Sequence, residues 1–131
     1  MACACRTQYR FRMRFEKTTF WTRSSQLADE CYRLTSLLPP AETYGLSSQI
    51  RRAACSVYAN FAEGWGRESK RDSAHFMTMA RGSLSELKAH LLFCVMRRYF
   101  NEQDIGPLCQ EIDELSRILN TVRLNLLRNA R

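Results

Sequence analysis

The chain has 131 residues, 45% apolar and 25% charged, with 20 Lys and Arg against 13 Asp and Glu for a net charge of +7. This fits one ordinary globular domain burying roughly two thirds of its unfolded surface. No run of about 18 apolar residues could span a membrane. Residues 1–14 carry Arg6, Arg10, Arg12 and Arg14 without the apolar core of a secretory signal, so a cytoplasmic location is expected.

Four helical stretches follow a basic tail over residues 1–14, and no strand is expected. In the first, about 19–38, Trp21, Ala28, Cys31, Tyr32, Thr35 and Leu38 recur at helical spacing before Pro39-Pro40 stops the helix. The second, about 46–63, has the stripe Leu46, Ile50, Ala53, Ala54, Val57 and Phe61, and Gly64-Trp65-Gly66 ends it.

The third, about 70–100, has a capping pair in Ser69 and Asp72. Its buried face is expected to hold Phe76, Met79, Ala80, Ser83, Leu84, Leu87, Leu91, Cys94 and Val95. Gly82 costs about 1 kcal/mol in a helix, which close approach by a neighbouring helix would offset. The fourth, about 104–128, alternates Ile105, Leu108, Ile112, Leu115, Leu119, Val122 and Leu126 three and four apart, the seam of a bundle helix. Asn101 can cap it and Pro107 falls early. Short links between long helices make neighbours antiparallel, so the reading is an all-α, up-down-up-down four-helix bundle over residues 15–131.

Catalytic and metal signatures are missing. His75 and His90 lie about four turns apart, too far to share a metal within one chain. Cys31, Cys55, Cys94 and Cys109 sit at apolar helical positions as small hydrophobes, and Cys3-x-Cys5 lacks the second pair a zinc site needs. No phosphate-loop, dinucleotide or hydrolase motif occurs. Glu63 has no histidine or second acid within sequence reach, so an ion pair is its expected role rather than general base. Neither enzyme activity nor a cofactor is expected.

The cations point elsewhere. A pI near 9.4 favours RNA, DNA or anionic lipid without choosing among them. Arg97, Arg98, Arg128 and Arg131 also fit as complements to helix C-termini. Arg67, Lys70 and Arg71 fall at a helix N-terminus, where the dipole disfavours cations, so an anionic partner is one reason for them. Solvated surface charge is the competing reading. Arg51, Arg67, Lys70, Arg71 and Arg81 are the candidate phosphate contacts.

The runs Tyr44-Gly45-Leu46-Ser47-Ser48-Gln49-Ile50-Arg51-Arg52-Ala53-Ala54 and Asn60-Phe61-Ala62-Glu63-Gly64, with Gly66-Arg67, carry a resemblance. So do Phe15-Glu16-Lys17 with Trp21, and Ala80-x-Gly82-Ser83-Leu84-x-Glu86-Leu87. Together they resemble the four-helix bundle proteins encoded in intervening sequences of 23S rRNA genes, from about Phe15 to Leu127. The chain departs in having Val57-Tyr58 where the family usually has Ile-Pro, suggesting an unkinked second helix. It has Arg98-Tyr99 where the family usually has Gly-Tyr.

The resemblance implies a homopentameric ring. It also implies similarity to accessory variability determinant proteins of diversity-generating retroelements, which associate with a reverse transcriptase and RNA. Two functions follow as expectations: a non-catalytic nucleic-acid-binding assembly protein, with RNA the expected partner, or a protein scaffold for a reverse transcriptase. Gln49, Arg52, Asn60 and Glu63 are then expected to form a partly buried hydrogen-bonded network at helix ends or a subunit seam.

Overall fold

The computed structural model describes residues 14–130, and within them every regular element is helical. A single-turn 3-10 helix, Phe15–Lys17, leads into α1, Thr19–Thr35, and another, Pro40–Glu42, precedes α2, Leu46–Trp65. α3 covers Lys70–Met96 and α4 Glu102–Arg128. Among the described residues no helix is long and apolar enough to cross a membrane. Residues 1–13 of the tail, with Cys3 and Cys5, and Arg131 lie outside the described residues.

Local chemistry sets the helix ends. Thr18 Oγ1 accepts from Trp21 N at 3.1 Å to open α1, and Ser69 Oγ accepts from Asp72 N at 3.2 Å to open α3. Asn101 and Asp104 form a reciprocal capping box with two 2.9 Å bonds, so α4 begins at Glu102, two residues before the expected start. Pro107 therefore sits in the second turn, inside a helix that continues through it.

The first and third helices end earlier than periodicity suggested. α1 stops at Thr35, and Leu38, bonded through its N–H to Thr35 O at 3.1 Å, folds down onto the core from outside the helix. α3 stops at Met96 because Arg98 turns left-handed at φ 62°. Arg98 N bonds to Val95 O and Tyr99 N to Cys94 O, both at 2.9 Å, the pairing of a Schellman stop. That conformation accounts for the glycine the resemblance expects at this place. α2 runs unbroken through Val57-Tyr58 and two residues past the expected end, closing at Gly66.

The core is one cluster. Ile50, Val57, Phe61, Met77, Leu84, Leu87, Leu91, Ile112, Leu115 and Leu119 are fully enclosed, each contributing about 1.5–3 kcal/mol through burial. Phe61 joins Phe20 at 4.5 Å and Trp65 at 5.4 Å between ring centres. α2 is the most enclosed helix in its expected stripe: all six residues are buried.

The α4 seam is buried as expected from Ile105 to Leu119, while in α1 and α3 the buried face differs in part from expectation. α1 buries Phe20, Ser24 and Leu27 alongside Ala28, Cys31 and Thr35, leaving Tyr32 exposed. α3 buries Ser73, Ala74 and Met77, leaving Met79 exposed and Phe76 half-covered. Gly82 has no helix against it: a Cβ there would meet nothing within 4 Å. Close approach occurs instead at Gly64, where a Cβ would lie 2.7 Å from Phe76 Cβ and 2.9 Å from Met77 Cε.

Most packing is α2 on α3 and α3 on α4, with α1 laid on α2 and only lightly touching α4. Cross-helix pairs fall in opposite order along α3 and α4: Lys70 with Asn129, Arg81 with Asn120, Lys88 with Asp113. Arg23 in α1 is hydrogen-bonded and ion-paired to both Glu111 and Glu114 of α4. These are the charge contacts that hold α1 to α4. α1 has 17 residues against 27 in α4, so Val122 and Leu126 near the end of the α4 seam stay half-buried.

Candidate nucleic-acid interface

The five candidate phosphate contacts separate into three places. Arg67, Lys70 and Arg71 come together where α2 gives way to α3. Lys70 Nζ donates to Asn129 O at 3.3 Å, bringing the end of α4 to the same corner. Glu68, Ser69, Lys70, Arg71, Asn129 and Ala130 line a cavity of about 400 Å3 there. Arg81 lies further along α3, and Arg51 stands near the start of α2, toward the opposite end.

Two of the corner cations have structural partners. The Arg67–Glu63 pair has the i,i+4 spacing of a helix and is the ion pair expected for Glu63, while the Lys70–Asn129 bond is long-range and invisible to spacing. Arg67 pairs with Glu63 at 2.7 Å and Asp72 at 3.5 Å, and its guanidinium lies 4.6 Å over the Phe76 ring. Lys70 closes off the carbonyl end of α4, a favourable place for a cation. Arg71 is exposed and has no partner among the described residues, as does Arg128 at the end of α4.

Arg81 and Arg123 share one acceptor. Arg81 Nη1 reaches Asn120 Oδ1 at 3.2 Å and Arg123 Nη2 reaches it at 3.0 Å. The Nε atoms of Arg81 and Arg123 are buried without a hydrogen bond. Arg123 falls in this cluster because it lies one turn beyond Asn120, but the link to Arg81 spans 39 residues and is invisible to local spacing.

Arg51 is pinned: Nε donates to Thr35 Oγ1 at 2.8 Å, and the guanidinium sits 4.6 Å over the Tyr32 ring. The Tyr32 hydroxyl lies 3.8 Å from Cys55 Sγ. A hydrogen bond to Cys55, followed by burial, pushes the Tyr58 hydroxyl up to about 12. This arginine–tyrosine–thiol cluster was not foreseen, since its members come from two helices.

Gln49, Arg52, Asn60 and Glu63 do not form one network within the chain. Arg52 donates to Gln49 Oε1 at 2.6 Å and reaches Glu86 at 3.7 Å. Asn60 Nδ2 donates to Ser56 O at 2.9 Å, and Glu63 pairs with Arg67. Arg52 and Glu63 are exposed, and Gln49 and Asn60 half-buried, because the four residues spread over more than three turns of α2. Among the described residues no cluster of His, Cys, Asp and Glu could hold a metal.

The charge is unevenly placed. Arg6, Arg10, Arg12 and Arg131 lie outside the described residues, while all 13 acids lie within them, so the described part carries 16 cations against 13 acids.

No curated protein matches the chain. A protein of unknown function from the S23 ribosomal protein family of Bacteroides thetaiotaomicron has a similar fold, with a TM-score of 0.74 at 19% identity. The match covers 80% of this chain and 98% of that one. The family model described as 23S rRNA-intervening sequence protein matches residues 16–121, which takes in α1, α2, α3 and most of α4. The chain belongs to the 23S rRNA-intervening sequence protein family.

Proposed function

We propose that this protein is a non-catalytic, cytoplasmic RNA-binding assembly protein: an up-down-up-down bundle that forms a homopentameric ring and holds phosphates on a basic surface. The opposite order of the α3–α4 pairs supports the bundle topology. The observation that carries the binding reading is the corner where Arg67, Lys70 and Arg71 meet the end of α4, with Arg71 and Arg128 exposed and without a partner among the described residues. Two cations left to solvent at one end, beside a cavity, are placed to contact phosphates without ordering a flexible side chain away from an existing bond.

Self-association is supported by a second surface. Leu92, Phe93 and Met96 are 49%, 45% and 78% exposed on the last turns of α3, an apolar group that a neighbouring copy would cover. In a ring, the Gln49–Arg52–Glu86 group and the Glu63–Arg67 pair become available as seam contacts.

The test is recovery of tagged protein from its native cells, with sequencing of bound nucleic acid and identification of bound proteins. Native mass spectrometry runs in parallel. Enrichment of one RNA, affinity that falls steeply with salt, and a mass five times the 15.3 kDa chain are expected. A reverse transcriptase recovered in fixed ratio without RNA would replace this reading with the scaffold one.

A further inference from the structure

Where α1 ends and α2 begins, the surface dips into a pocket of about 540 Å3. Ser36, Thr43, Ser47, Ser48 and Arg51 line it, and Tyr44 belongs to its rim with 96% of its surface exposed. The Tyr44 ring touches no other ring or cation, and its hydroxyl has no hydrogen bond among the described residues. The Ser48 hydroxyl is also without a partner among the described residues. Nothing among the described residues uses these groups.

Arg51 differs in being already fixed. Its Nε is held by Thr35 Oγ1 at 2.8 Å and its plane lies over Tyr32, while Nη2 reaches Tyr32 O at 3.4 Å and Nη1 keeps no protein acceptor. A guanidinium held this way loses little rotamer freedom on binding an anion. The nearby carboxylate, Glu42, is turned away: its Oε2 accepts the Leu46 N–H at 3.1 Å, and it lies within electrostatic reach of Arg97.

A bare aromatic ring, a fixed guanidinium and the free Ser48 hydroxyl in one pocket are the parts with which proteins take an unpaired nucleotide. The base stacks on the ring, and the phosphate accepts from arginine and hydroxyl donors. A duplex cannot use such a pocket, because its bases are stacked inside. The Ser36 and Thr43 hydroxyls already donate to Arg33 O at 2.5 Å and Pro40 O at 2.8 Å, so each is left as an acceptor for a ribose 2′-OH, a donor that deoxyribose lacks.

We infer that the α1–α2 pocket binds one unpaired nucleotide of a single-stranded RNA, its base on Tyr44 and its phosphate on Arg51 and Ser48. This rests on the RNA-binding reading above and adds a second, charge-poor site at the end of the bundle opposite the cation corner.

The test is fluorescence anisotropy with the full-length protein and a labelled 12-nucleotide oligouridine, alone and as a duplex with its complement. Tyr44→Ala, Tyr44→Phe, Arg51→Lys and the double variant Lys70→Gln with Arg71→Gln are compared with the parent. Tyr44→Ala is expected to weaken single-strand binding roughly 5- to 150-fold, the range for losing one stacked base. Duplex binding and the salt slope should stay unchanged. Tyr44→Phe keeps the ring and should bind as the parent does, and Arg51→Lys should fall between.

If Tyr44→Ala binds normally while the Lys70/Arg71 variant does not, this site is wrong and the basic-corner reading survives. A parent protein that binds neither RNA at low salt overturns both. A change of oligomer mass in Tyr44→Ala would make Tyr44 a subunit contact and overturn the site. Equal loss of single strand and duplex would also overturn it.

Discussion

Gly64 and Phe76 approach so closely that no side chain fits between them: a Cβ on Gly64 would lie 2.7 Å from Phe76 Cβ and 3.1 Å from Ser73 O. Both neighbours are anchored in α3, one through a Cβ and the other through the backbone, so neither can swing aside. Gly64→Ala gains helix propensity but forces α2 from α3, and a net loss of about 1–3 kcal/mol is expected. Gly82→Ala meets nothing within 4 Å and should stabilise by up to about 1 kcal/mol. Urea midpoints of the two variants check this contrast, which reverses if the helix–helix contact lies at Gly82.

Arg98 is the one non-glycine residue with positive φ among the described residues, at 62°. The left-handed region costs a residue with a Cβ about 1–2 kcal/mol. Arg98→Gly should therefore raise stability by about 1 kcal/mol, less the extra chain entropy glycine loses on folding. Thermal melting of Arg98→Gly against Arg98→Ala separates conformation from charge. Equal melting temperatures for the two variants would count against the strain account.

Burial pushes the Cys31 thiol from an ordinary 9.0 up to about 12, and Cys94 up to about 11. Above pH 9 the unfolded chain loses these protons while the folded chain keeps them. The contribution to stability is therefore full below pH 9 and is lost as pH rises toward 11–12. Each retained proton steepens the fall by about 1.4 kcal/mol per pH unit. Stability measured from pH 8 to 10.5 should drop, and Cys31→Ala should flatten the slope while costing some packing at every pH. An unchanged slope would mean that the Cys31 environment is open to water.

Arg6, Arg10 and Arg12 supply three charges from outside the described residues. If they contact RNA phosphates, deleting residues 1–13 lowers the slope of log affinity against log salt by about 2 for single strands. Circular dichroism should still report the same helices, since α1 has its own cap at Thr18. An unaltered salt slope would assign binding to the bundle alone.

Glu63→Ala removes one partner of Arg67, whose guanidinium also meets Asp72 and the Phe76 ring. Exposed pairs of this kind are worth at most about 1 kcal/mol within one chain. A larger fall in melting temperature together with loss of oligomer mass is expected if the pair belongs to the seam. A small change with mass intact would confine it to one helix.

The α2 stripe was legible because every member lies on one face of a helix covered on both sides; Leu46, Ile50, Ala53, Ala54, Val57 and Phe61 are all buried. α1 was less so. Tyr32 has the spacing of a core residue, but it is amphipathic and serves as the platform for Arg51, while Ser24 is buried through a bond to Trp21 O at 3.1 Å. The ends of α1 and α3 were misplaced because apolar residues continue past the helix stop: Leu38 covers the core from a turn, and Tyr99 follows the left-handed Arg98. At the candidate interface, adjacency in sequence located Arg67, Lys70 and Arg71. The Lys70–Asn129 and Arg81–Asn120 bonds depend on how α3 and α4 are aligned, which no local window contains.

The light contact between α1 and α4, tied by Arg23 to Glu111 and Glu114, divides the fold energetically. α2, α3 and α4 share most of the interior, so α1 is the helix that can detach while the other three hold. In hydrogen–deuterium exchange its amides should lose protection first, by a sub-global opening cheaper than complete unfolding. Arg23→Ala should hasten α1 exchange and leave the slowest amides of α3 untouched. The pocket and the Arg51 platform straddle α1 and α2, so the same opening would dismantle them without disturbing the cation corner.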